Sequence, residues 1–560
     1  MDIYLKDYII GGECVSLALS EAVRCLRNGD TLHLGGGKTE FDNICATPQI
    51  YYIPRYSNEK KYYTFYFENI DDLTIDGDGA VLVFDGDISP FGFSNCRNIT
   101  LKNFKIDYKT PYFVQGLITD ANDEYVDVKY DSSENICCYD EKSRKLYAKS
   151  AETDFVWDVS ACLTNEFETK PKRPAAATAD WFLCTGEPHP VYGGMSVLVD
   201  TYKQADNHFR FRFKNKSIKH TVGNYLVQAN HERKNTDFYF HKCENILMEN
   251  IDMYASASFG AVYLLCKNVK IDNVNSVIKP DSGRFMAVNA DVLHFVNTKG
   301  KIEISNCTFE NNFDDSVNIH SLFSVVKCKI NTDTLLLHFT YLAKKAVNLY
   351  SPGEKINVLS KDSLEKRGEL TVKKSEFVGE YYLMVEFQEP VDGINIGDLL
   401  ESETAKPEAH LYNCRAGNNR GRGFLVPAGR KTIVENCEFY NFGCGIGVNG
   451  ASLRYLEGSA VTDLTVRNNR FVNCARGLNP YLIVIKPFGL MGKEAPPYHR
   501  NIRIYDNVLS QNGKALIDIN YAADAEIKNN TYIRDFSQLA HEDINETGIR
   551  VNKCENVNIE

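Results

Sequence analysis

VTDLTVRNNRFVN, residues 461–473, carries the phrase that organises this chain. An apolar residue is followed by any residue, then Asn or Asp, then two more, then an apolar residue: here Val466, Asn468 and Phe471. The same phrase returns as Leu101-Asn103-Ile106, Met248-Asn250-Met253, Ile304-Asn306-Phe309, Val434-Asn436-Phe439, Ile504-Asp506-Leu509 and Ile527-Asn529-Tyr532. Within 461–473, Leu464 and Val466 fall on one face of a strand and Thr465 and Arg467 on the other. Asn suits the turn that follows, because it tolerates left-handed backbone, and stacked Asn side chains can form ladders. Ile504 and Ile527 are 23 residues apart, and Val434 and Val466 are 32 apart, one turn with a longer loop. Short strands recurring at 20–40 residues with polar punctuation are the signature of a solenoid. The leucine spacing of leucine-rich repeats and the motifs of propeller blades are missing. The expected fold is all-β: a right-handed parallel β-helix.

A solenoid needs a cap over its open apolar end. SLALSEAVRCLRNGDTLHLGGG supplies one, an amphipathic helix around 15–27, a turn at Asn28-Gly29 and a strand, before an early coil at 73–86. The repeat stops near 110 and resumes near 238, then stops near 325 and resumes near 408. Both gaps contain alternating strand patterns, such as YVDVKYD and FRFKNK in the first and TLLLHFTYL in the second. The expected organisation is a cap with first coils (1–110), an inserted β-barrel-like domain (111–236), coils (237–325), a second inserted β-barrel-like domain (326–406) and C-terminal coils (407–560).

Net charge is −11 and the pI about 5.7, without the basic stripe of a nucleic-acid binder. No apolar run is long enough to span a membrane, and MDIYLKDYII lacks the form of a signal peptide. The expected compartment is the cytoplasm, or the exterior or periplasm if a leader was removed. Seventeen cysteines include no CxxC and no Cys/His cluster of metal spacing. Several follow the repeat's Asn, at 95–96, 306–307, 413–414 and 436–437, and read as small apolar residues stacked in the interior. Neither a cofactor nor a metal is expected. An edge-rich solenoid with appended domains makes a homodimer a candidate state.

The chemistry is expected between the insertions. Asp291 in NADVLHF precedes the pair Asp314-Asp315 in FDDSVNIH by 23 residues, close to one turn of the repeat. Taken as a strand, 285–296 points Val288, Ala290 and Val292 inward and Asn289 and Asp291 outward. One coil later Asp314, Ser316, Asn318 and His320 share the outward face, while Asp315 needs a turn or bulge to join them. Three crowded carboxylates raise the proton affinity of at least one, which suits acid–base work on a neutral sugar. The competing explanations are a surface acidic cluster or a calcium site. Asn289, Asn318, His320, Arg420 and Arg422 are the candidate substrate-binding residues. His294 falls on the inward parity and reads as a core histidine. Trp157 and Trp181 read as core of the first insertion, with stacking on a sugar as the alternative, and GEPHP at 186–190 as a candidate loop over the pocket.

Asn289-x-Asp291 followed by Asp314-Asp315 resembles the NxD…DD arrangement of polygalacturonases. The GHG and RxK motifs those enzymes carry in later coils are missing; NNRGRGFLVPAG stands there instead. A closer resemblance is to glycoside hydrolase family 110, the bacterial α-1,3-galactosidases. That family shares a β-helix interrupted by two barrel domains and one Asp followed 23 residues on by an Asp-Asp pair. The resemblance implies an exo-acting, inverting glycosidase that releases terminal α-1,3-linked galactose from glycans such as blood-group-B-type structures. Its catalytic carboxylates would be Asp291, Asp314 and Asp315. Asp314 is assigned as general acid, with Asp291 and Asp315 sharing the water as base. The alternatives are a polygalacturonase-like endo-glycosidase on another polysaccharide and a non-catalytic glycan-binding β-helix protein.

Overall fold

A computed structural model describes the chain except residues 12–13, 51–59, 132–135, 161, 171, 176–179, 183–197, 214–219, 231, 340–347, 451–455, 476–480, 488–494, 512–515 and 535–547. The loop at 186–190 lies outside the described residues, as does the side chain of Trp181.

Two large sheets, one of twenty strands and one of thirteen, run the length of a parallel β-helix. Register alone locates the insertions. Ile246 pairs with Ile99 on one side and Val269 on the other, so the coils before and after the first insertion are direct neighbours and the next coil is 23 residues long. Ile302 pairs with Ala409 across the second insertion, and Leu411 with Val434 after it. Each coil buries the alternate residues of its strands, as Val434, Val466, Ile504 and Ile527 do in succession. The helix Val15–Cys25 covers the N-terminal end with Ala18, Leu19 and Ala22.

The turns follow the expectation. Asn98, Asn245 and Asn268 all adopt left-handed backbone (φ 53–58°). Asn245 donates to Asn98 at 2.8 Å and Asn268 to Asn245 at 3.0 Å. Asn103, Asn250 and Asn273 make a second ladder, at 3.2 and 2.9 Å. The interior carries an aromatic spine, Phe67–Phe93–Phe240–Tyr263–Phe295, with ring centroids 4.5–5.3 Å apart. Each such pair contributes about 0.5–1.5 kcal/mol beyond area burial, so the spine stiffens the strand Leu293–Val296 on which the site depends. The repeat's cysteines, Cys96, Cys307, Cys414 and Cys437, are buried and unpaired by disulfides.

The second insertion is a closed six-stranded barrel that begins at Ser324–Lys329 and ends at Leu399–Ser402. The first builds a seven-stranded antiparallel sheet whose described strands do not close, with a separate three-stranded sheet over 136–158. Trp157 is buried there, as a core residue. No described helix is long and apolar enough to cross a membrane.

Candidate active site

The segment 285–292 is buried but irregular, and the strand is only Leu293–Val296. This resets the alternation. Leu293 and Phe295 turn into the core, and His294 lies on the face of Asn318, its partner across the parallel pair with Val317–Leu322. The expectation of an inward His294 is therefore wrong: the assumed strand was eight residues too long.

Asn289 also departs from expectation. Its side chain is fully buried, and its amide donates to the carbonyls of Asn230 (3.2 Å) and Ala257 (3.3 Å). It ties the first insertion to the coil.

Asp291, Asp314 and Asp315 do converge: one carboxylate oxygen from each lies within 4.8 Å of the others. Their environments differ. The Asp314 side chain is 22 % exposed, while those of Asp291 and Asp315 are 6 % and 2 % exposed. Arg233 reaches Asp314 at 3.0 Å and Arg420 at 3.9 Å. Arg422 grips Asp315 with two parallel bonds, 2.9 and 2.7 Å, and adds its backbone N–H at 2.8 Å. Asp291 accepts from the Asp315 N–H (3.3 Å) and from Asn318 (3.3 Å), and sits 2.6 Å from His294 Nδ1.

Burial works to raise the proton affinity of Asp314, but Arg233, Arg420 and Arg422 outweigh it and hold the carboxyl at about 2. Asp315 is pushed up to about 6, first by burial and then by Asp314 and Asp291, against the pull of Arg422. Arg422 is raised in turn by Asp315, overcoming its own burial.

Of the expected substrate contacts, Asn318, His320 and Arg422 join the carboxylate network, and the Arg422 side chain keeps 33 % exposure. Asn318 and Arg422 bond the aspartates, and His320 bonds His294. Arg420 lies over the Phe313 ring, 3.9 Å from Asp314. Sequence reasoning missed Arg233. Its one signal is position, since it stands three residues before the coil restarts at Thr236–His241. Three carboxylates so close could hold a hard cation, but guanidinium groups already bond the oxygens of two and a histidine that of the third. A further positive charge fits poorly there.

The backbone of Asp314 is fixed from two coils. Asn312 and Asn419 donate to its carbonyl at 2.6 and 2.7 Å, and Asn441 supports Asn419. Gly421 passes so close that a Cβ there would lie 2.4 Å from the Asp314 carbonyl carbon. A cleft of about 1100 Å³ opens elsewhere, lined by Lys270, Lys301, Glu354 and Arg430 among others. None of the three converging aspartates lines it.

The description "Right handed beta helix region" belongs to a family model that matches residues 392–532. The chain is 29 % identical over 486 residues to Alpha-1,3-galactosidase A of Shewanella woodyi, covering 86 % of this chain and 76 % of that one. To Alpha-1,3-galactosidase B of Bacteroides thetaiotaomicron it is 26 % identical over 538 residues, 94 % of this chain and 84 % of that one. Alpha-1,3-galactosidase A of Bacteroides fragilis is 25 % identical over 537 residues, 93 % of this chain and 85 % of that one. The family resemblance seen in the sequence is thus met over most of the chain, insertions included.

Proposed function

We propose that this protein is an exo-acting, inverting glycoside hydrolase that releases terminal α-1,3-linked galactose, with blood-group-B-type glycans as its substrates. The observation that carries the reading is the convergence of three carboxylates in unequal surroundings, one partly exposed and two buried. The names of the relatives, alpha-1,3-galactosidases A and B, support the same bond and sugar. Residues from the exit of the first insertion, Asn230 and Arg233, flank the site and favour a walled pocket over an open cleft.

The roles follow from access and charge. A carboxyl must touch the glycosidic oxygen to protonate it, and Asp314 alone of the three reaches solvent appreciably, so Asp314 is the general acid. Asp315 is the base: with proton affinity near 6 it is ionised at neutral pH yet basic enough to accept a proton from water. Asp291 orients that water. As the water attacks C1, one of its protons passes to Asp315, the C1–O bond breaks, and the leaving oxygen takes the proton of Asp314. The arginines oppose the first step. At ~1.4 kcal/mol per pKa unit, protonating Asp314 near pH 6 costs about 5 kcal/mol, so the sugar must displace Arg233 or Arg420 from it.

One observation favours a second reading. Carboxylate oxygens within 4.8 Å are closer than the ~6.5–9.5 Å of inverting pairs and near the ~5–5.5 Å of retaining ones. In a retaining enzyme one aspartate would be a nucleophile. The anomer released first, followed by proton NMR on an α-1,3-galactoside, separates the two: β-galactose supports inversion and α-galactose retention.

A further inference from the structure

Behind Asp291 lies a chain of contacts that the mechanism above does not use. His294 Nδ1 is 2.6 Å from Asp291 Oδ2, His294 Nε2 is 3.1 Å from His320 Nε2, and His320 Nδ1 is 2.9 Å from the Ser321 carbonyl. His294 and His320 are 3 % and 1 % exposed, and the Phe259 ring packs 5.0 Å from His294. All four imidazole nitrogens are engaged.

The protons can be counted. The Ser321 carbonyl only accepts, so His320 Nδ1 carries a proton. Two ring nitrogens at 3.1 Å need one proton between them. A nitrogen and a carboxylate oxygen at 2.6 Å need another. Three links hold three protons, whereas two neutral imidazoles bring two. The third neutralises the charge of Asp291, whichever ring carries it. Asp314 and Asp315, which converge on Asp291, and Arg233, Arg420 and Arg422, which approach those two, are charges facing this group.

We infer that Asp291, His294 and His320 hold one shared proton and act as a single unit of zero net charge, with His294 as the positioning residue that fixes Asp291. This inference rests on the proposed galactosidase reading for its catalytic meaning, but the proton count itself does not. A neutralised Asp291 is a poor acceptor for a second proton. It therefore orients the water, and Asp315 is left as the only base.

Charge counting by native electrophoresis near pH 7.5 tests the unit without any substrate. Asp123→Asn, at an exposed turn, calibrates the shift for one lost negative charge. Asp291→Asn removes the carboxylate and its shared proton together, so it should co-migrate with wild type. A shift equal to that of Asp123→Asn would overturn the inference. If Asp291→Asn does not fold, His294→Gln decides. It loses the proton but keeps Asp291, whose two oxygens still accept from Asp315 and Asn318, and should migrate one charge more negative; co-migration with wild type would overturn the inference. Kinetics on an α-1,3-galactoside then tests positioning. His294→Gln should lose at least tenfold in kcat with KM little changed, and unchanged kcat would refute that role. If wild type cleaves no such galactoside, the functional reading fails while the charge result stands.

Discussion

Gly421→Ala offers a way to move the acid–base pair without touching either carboxyl. The added Cβ would lie 2.4 Å from the Asp314 carbonyl carbon, 2.6 Å from its oxygen and 2.7 Å from the Asp315 nitrogen. All three are backbone atoms, so no side-chain rotation relieves the clash. Reaching an ordinary contact of 3.4 Å requires about 1 Å of movement. Gly421 cannot easily retreat, because Gly443 packs behind it, where a Cβ would stand 2.3 Å from the Gly421 carbonyl oxygen. The strain therefore falls on the Asp314–Asp315 peptide. Overpacking of this kind costs about 1–3 kcal/mol of stability, and a displacement of about 1 Å at reacting groups costs about 100-fold in rate. Gly77→Ala is the control. Its Cβ would meet Phe104 at 2.3 Å in an early coil, giving comparable strain before the first insertion. We expect Gly421→Ala to lose about 100-fold in kcat/KM and Gly77→Ala to stay within a few-fold, both melting below wild type. Wild-type activity in Gly421→Ala, or equal losses in both variants, would refute the reasoning.

The reactive form needs one proton on the Asp314/Asp315 pair, which the pair holds between about 2 and about 6, so kcat/KM should stay level below pH 6 and fall as pH rises through about 6; a fall as pH drops through 6 instead would contradict these roles. Asp314→Asn should keep much of its activity on a galactoside with a strongly acidic leaving group such as dinitrophenol, which needs no protonation, while Asp315→Asn should not, and rates on activated and natural substrates compare the two. Arg233→Met removes the nearest charge from Asp314, raises its proton affinity and should move the acidic limb of the pH–rate profile upward. Asn268→Ala breaks two ladder bonds, to Asn245 and from the Lys301 N–H, and places a Cβ-bearing residue at φ 57° without an amide to support it. It should cost about 1–2 kcal/mol in denaturant unfolding and leave kcat/KM unchanged.

Much of this architecture is legible in the chain because a solenoid writes its period into sequence. Asn98, Asn245 and Asn268 serve one repeated turn, and the distance from Asp291 to Asp314 is that period, so their meeting follows from counting. Local geometry is less legible. Asn289 and His294 were misassigned because FMAVNAD alternates like a strand, yet its residues are buried on all sides in an irregular segment, and burial without a ladder leaves no period to read. Arg233 sits 81 residues before Asp314 and reaches it only because the first insertion returns its exit strand beside the coil. Insertions erase the spacing rule, so contacts across them are set by tertiary packing. The second insertion's closure into a barrel and the first's failure to close among its described strands are likewise absent from the strand patterns, which look alike in both.

The central claim is hydrolysis of an α-1,3-galactoside with inversion by Asp291, Asp314 and Asp315. Proton NMR of the purified protein with such a substrate, following the anomeric signal of the first sugar released, tests it most directly. The account predicts β-galactose at early times, reaching the α/β equilibrium only by slow mutarotation. Early α-galactose, or no galactose at all, would contradict it.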